Sequence, residues 1–113
     1  MFKRFFIISI SILFLVLSNP VYSIEVNPKS IDNYIKKISN KFSRTYCNTT
    51  QFGISNDGAL EFAIGETNKE FKNNKLNQLI DYSLLKNKIV NSLENKCMVY
   101  DFPINRLNDL KFD

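Results

Sequence analysis

The sequence predicts an all-α protein: a three-helix bundle-like domain that follows an N-terminal signal peptide and carries a single disulfide. Three observations lead there. Apolar side chains recur three and four positions apart through three successive stretches, which is the spacing of helices that bury one face. The opening run, Met1 to Ser23, has the three parts of an export signal. The two cysteines, Cys47 and Cys97, each fall at the end of one of the predicted helices.

The opening run comes first in the chain. Lys3 and Arg4 give a positive start, and Phe5 to Leu17 follows, broken only by Ser9 and Ser11. That run is shorter than the roughly 20 apolar residues a membrane-crossing helix requires. Ser18, Asn19 and Pro20 then break the helix, and Val21-Tyr22-Ser23 sets up a cut that frees Ile24. The competing reading is an uncleaved anchor, because Val21 is bulkier than the alanine common at that position. Lipidation is not expected, since Phe2 stands where myristoylation needs glycine and no cysteine lies near either terminus. The chain therefore divides into a signal peptide over 1–23 and a small helical domain over 24–113, with a tail from about residue 98.

Asn27 is a suitable cap and Pro28 suits a first helical position. Ile31, Tyr34, Ile35, Ile38, Phe42 and Tyr46 then trace one stripe, with Lys36, Lys37, Asn40, Lys41 and Arg44 opposite. This predicts a helix of about 17 residues ending at Cys47, and a polar connection over Asn48 to Gly53. Ser55, Asn56 or Asp57 caps a second helix carrying Leu60, Ala63, Ile64, Thr67 and Phe71. Gly65 inside it is expected to mark a close helix crossing or a break. Lys72-Asn73-Asn74-Lys75 reads as a linker, and a third helix is expected within Leu76 to Lys96, its main part capped by Asp81 or Ser83. Leu85, Ile89, Leu93 and Cys97 form a four-residue ladder on its buried side. The tail from Met98 reads equally as an ordered segment packed along the helices, a short strand or a frayed end.

Export makes pairing of Cys47 with Cys97 the leading expectation. Two buried free thiols, or a redox-active or intermolecular cysteine, are the alternatives. The Cys-x-x-Cys spacing of thiol oxidoreductases is absent.

With Lys3 and Arg4 removed, thirteen basic residues face eleven acidic ones, a net charge of +2 with the signs interspersed. Nucleic-acid binding, which draws on a clustered basic face, is not expected. The chain has no histidine, so it lacks the commonest general base and the usual nucleophile partner. Two thiols alone do not make a structural zinc site. No cofactor is expected. Glu61, Glu66 and Glu70 are close enough for paired carboxylates, yet their positions fit a solvated face better. Lys36, Lys37, Lys41 and Arg44 beside Ile31, Ile35 and Ile38 would suit an anionic membrane surface, although a core stripe with a solvated back explains them more simply. Asn48-Thr49-Thr50 matches the glycosylation tripeptide, which matters only in a glycosylating compartment.

The stretch Lys41-Phe42-Ser43-Arg44-Thr45-Tyr46-Cys47-Asn48, with Phe52-Gly53-Ile54-Ser55, Ala59-Leu60, Phe62-Ala63-Ile64-Gly65-Glu66 and Lys96-Cys97, resembles a group of small uncharacterised proteins of cyanobacteria and chloroplasts. The resemblance spans about half of the mature chain. It implies export to the periplasm or thylakoid lumen and two matched cysteines, with no assigned activity. Those proteins end soon after the second cysteine, whereas this chain continues to Asp113.

Function is then expected to be binding rather than catalysis. The expected role is an exported accessory protein that binds or stabilises a protein partner, with a membrane face as the expected setting and the tail aromatics Tyr100 and Phe102 as candidate contacts. The alternative is a membrane-tethered protein that keeps Phe5 to Leu17 as its anchor.

Overall fold

The computed structural model describes residues 27–112. The signal segment read over 1–23 lies outside the described residues. Within them the fold is all-α, with helices α1 (Pro28–Gln51), α2 (Asn56–Phe71) and α3 (Tyr82–Cys97) and two short 3-10 segments, Lys75–Leu79 and Ile104–Asp109.

Each helix begins on a side chain that satisfies free backbone N–H groups. The Asn27 carboxamide accepts from Lys29 N at 3.1 Å, and Ser55 Oγ accepts from Gly58 N at 3.2 Å. Asp81 accepts from Ser83 N and Leu84 N at 3.0 and 3.3 Å.

The central helix is α1. It packs α2 on one side and α3 on the other, while α2 and α3 scarcely touch each other. The disulfide joins Cys47 and Cys97 near the C-terminal ends of α1 and α3, with their Cα atoms 5.8 Å apart. Near the other end, the Tyr34 and Phe71 rings meet edge to face at 5.6 Å. Helices α1 and α3 therefore run in the same direction and α2 runs against them. The predicted stripe of α1 is the core: Tyr34, Ile35, Ile38, Phe42 and Tyr46 are buried, and so are Leu85, Ile89 and Leu93 of the α3 ladder. The bridge closes a sequence separation of 50 residues. For such a loop the chain-entropy model gives about 4 kcal/mol, comparable with the whole net stability of a small domain.

Two expectations are corrected, for α1 and for Gly65. Helix α1 runs for 24 residues and takes in Asn48 to Gln51 of the predicted connection. The hydroxyls of Thr45, Thr49 and Thr50 bond back to the carbonyls of Lys41, Thr45 and Cys47 at 2.8, 2.6 and 2.9 Å, so these polar side chains find partners within the helix and need no loop. The chain turns only at Gly53, whose φ of +89° suits glycine. The third helix starts at Tyr82 on the expected Asp81 cap, while Lys75–Leu79 before it forms a 3-10 turn and Ile80 is extended. Gly65 neither breaks α2 nor sits at a crossing, for a Cβ there would meet nothing within 4 Å.

The tail is ordered. Leu107, Leu110 and Phe112 are buried to 2 % exposure or less, filling the space that α2 and α3 leave open over α1.

Candidate functional site

Among the described residues, five of the eight large apolar side chains left exposed lie at one end of the bundle, while Leu79 and Leu84 lie near the other and Ile104 is in the tail. Phe52 is 87 % exposed, Ile54 49 %, Phe62 52 %, Met98 72 % and Tyr100 66 %. Phe52 and Ile54 lie in the α1–α2 turn, Phe62 is in the second turn of α2, and Met98 and Tyr100 directly follow α3. The disulfide holds the C-terminal ends of α1 and α3 together, so all five belong to one end of the bundle.

Charge is sparse along the two segments that form this end, although Asp57, paired with Arg106 at 3.2 Å, and Glu61 lie close by. Thr45 to Asn56 is a run of twelve residues without a formal charge between Arg44 and Asp57, and Cys97 to Tyr100 is uncharged between Lys96 and Asp101. Soluble proteins rarely leave large apolar side chains clustered in water unless something covers them. An open groove of about 430 Å³ lies here, lined by Thr45, Asn48, Thr49, Phe52, Ile54 and Phe62. Its floor is aromatic and aliphatic, and Asn48 offers an amide at its edge. That combination suits an uncharged apolar segment and offers a charged ligand no counter-ion.

The residues singled out from sequence are placed as follows. Cys47 and Cys97 are bonded to each other and neither is free. Tyr100 projects into solvent. Phe102 is half-buried, its ring meeting those of Phe42 and Tyr46 edge-on at 6.5 and 5.6 Å, so it wedges the tail onto α1. The tripeptide Asn48-Thr49-Thr50 is helical, with Thr49 buried. Glu61 and Glu70 are exposed and Glu66 is half-buried. Ile35 and Ile38 point into the core, and Lys36, Lys37 and Arg44 remain in water behind them, with Lys41 partly covered.

Two residues that sequence reasoning missed organise the opposite end. The Tyr34 hydroxyl donates to Asn77 Oδ1 at 2.6 Å, and Asn77 Nδ2 donates to the carbonyls of Phe71 and Phe112, each at 2.9 Å. Asn68 binds tail backbone on both sides, donating to Asp109 O at 3.1 Å and accepting from Lys111 N at 3.0 Å. Burial raises the pKa of the Tyr34 hydroxyl, with a smaller push from Tyr82. Burial likewise raises that of Tyr46, and the Asp57 charge adds to it.

A second groove, of about 360 Å³, runs between α1 and α3 beside Lys36, Lys88, Lys96, Asn40, Asn91 and Asn95. It is a wet polar seam, and Lys36 already pairs with Asp32 at 3.7 Å. No group of three or more metal-ligating side chains occurs among the described residues, and none of the described helices is long and apolar enough to cross a membrane.

No family model, curated protein or solved structure matches this chain.

Proposed function

We propose that this chain is an exported, non-enzymatic accessory protein that docks the apolar end of its bundle onto a partner protein, in the periplasm or thylakoid lumen. The supporting observation is that Phe52, Ile54, Phe62, Met98 and Tyr100 are exposed at one end, beside a groove whose lining residues carry no formal charge. Interface centres are rich in aromatic residues and methionine and poor in charge, and this end has that composition. The disulfide fits an oxidising compartment, and the signal-like run over 1–23 and the likeness to small exported proteins of cyanobacteria and chloroplasts point the same way.

The compartment is tested by the intact mass of the protein from its native host, with thiols alkylated before and after reduction. A chain beginning at Ile24 whose cysteines react only after reduction fits the proposal. A full-length chain indicates the tethered alternative, in which Phe5 to Leu17 is retained, and freely reacting cysteines would overturn the oxidising location. The docking surface is tested with Phe52→Asp and Phe62→Asp. Both side chains are exposed, so the variants keep the wild-type melting temperature and lose the partner.

A further inference from the structure

We propose that the cleft between α2 and α3 is a peptide-binding groove filled by the chain's own C-terminal segment, and that its alternative occupant is the same segment of a second copy. Three observations carry this. First, α2 and α3 both rest on α1 and scarcely touch each other, and the buried side chains of Leu107, Leu110 and Phe112 pack where the two helices leave a cleft.

Second, the segment is held in the way that proteins hold peptides. Asn68 and Asn77 bond to its main chain, at the Asp109 carbonyl, the Lys111 N–H and the Phe112 carbonyl, while the three apolar side chains fill the cleft. Backbone bonds supply affinity and side-chain pockets supply selectivity. The occupant is then a short segment spaced Leu-x-x-Leu-x-Phe, which each copy provides.

Third, the connection that sets the direction of the tail is strained and follows the last covalent tie. Met98, immediately after Cys97, adopts the left-handed conformation with φ of 56°, which is uncommon for a side chain other than glycine. Methionine is a good helix former, so α3 relieves this strain by continuing through Met98 and carrying the tail away from its own cleft. Two copies opened in this way exchange tails about a twofold axis, each groove receiving the contacts it had before. The exposed Met98 and Tyr100 lie in the connection, where the two exchanged segments would cross.

The test uses the full chain with Asn108→Asp. Lys86 Nζ bonds to the Asn108 side chain, and both lie on exposed faces, so a carbodiimide can join Lys86 to an aspartate at that position. Equal amounts of 14N- and 15N-labelled protein are unfolded together with the disulfide intact, refolded at low and high concentration, separated by size and cross-linked. The proposal expects a dimer that grows with concentration and whose Lys86 cross-links include pairs of mixed isotope, against same-isotope pairs in the monomer. Met98→Gly, which removes the strain of the closed form, is expected to lower the dimer fraction about tenfold. A monomer at every concentration, or a dimer holding only same-isotope pairs, would overturn it. So would a dimer unaffected by Met98→Gly.

Discussion

The carboxamide of Asn77 ties Tyr34 to the end of the chain, accepting from its hydroxyl at 2.6 Å while donating to the carbonyls of Phe71 and Phe112 at 2.9 Å. One side chain so joins the first helix, the last residue of the second and the tip of the tail. In Asn77→Asp at neutral pH the carboxylate still accepts from Tyr34 but cannot donate to the two carbonyls. The expected loss is about 2 kcal/mol, read from urea unfolding, with faster amide exchange over residues 107–112. An unchanged unfolding midpoint would show that the node carries no stability.

Ser43 Oγ and Thr67 Oγ1 are buried without a hydrogen-bond partner among the described residues. A buried hydroxyl that makes no bond costs free energy, so removing it at constant shape is neutral or favourable. Thr67→Val is expected to raise stability by about 1 kcal/mol, and Ser43→Ala to change it little. A loss above about 2 kcal/mol in the valine variant would reveal a partner for that hydroxyl.

Gly65 lies within α2 with open space around its Cα. Gly65→Ala is therefore expected to stabilise the fold by about 1 kcal/mol through helix propensity and the lower entropy of the unfolded chain. For a domain of this size that corresponds to a rise of roughly 4–8 °C in melting temperature. A lower melting temperature would place an unseen contact at this position.

Alkali should loosen the fold. The raised pKa values of Tyr34 and Tyr46 mean that the folded chain favours the neutral hydroxyl. Their contribution is fully present below the ordinary tyrosine value of about 10 and is lost as the pH rises through the raised values. The urea midpoint is expected to fall as the pH rises above about 10, and Tyr46→Phe to soften that fall. A midpoint independent of pH across this window would contradict the assigned cause.

Much of this architecture was legible because helical periodicity is local. The stripe through Ile35, Ile38 and Phe42 and the ladder Leu85, Ile89 and Leu93 are both buried as spaced. The last turn of α1 was hidden because threonine and asparagine signal a turn, and the bonds of the Thr49 and Thr50 hydroxyls to carbonyls within the helix reverse that reading. The tail was ambiguous because its partners lie far away in sequence: Asn77 meets Phe112 across 35 residues and Asn68 meets Lys111 across 43. Tyr100 and Phe102 differ in environment although they are two positions apart, and an irregular segment has no period from which to tell which faces inward. The apolar end was not legible, because Asn48 to Gly53 reads as a polar connection. That its aromatic residues are uncovered follows from three-dimensional packing.

The most direct measurement is the native mass of the protein released gently from its own host, wild type beside the Phe52→Asp, Phe62→Asp double variant. The account predicts a wild-type complex whose mass is not a multiple of this chain's and a variant that melts like wild type yet runs without the partner. A wild-type protein found only as itself, or a variant that keeps the complex, would contradict the assignment of this end as the binding surface.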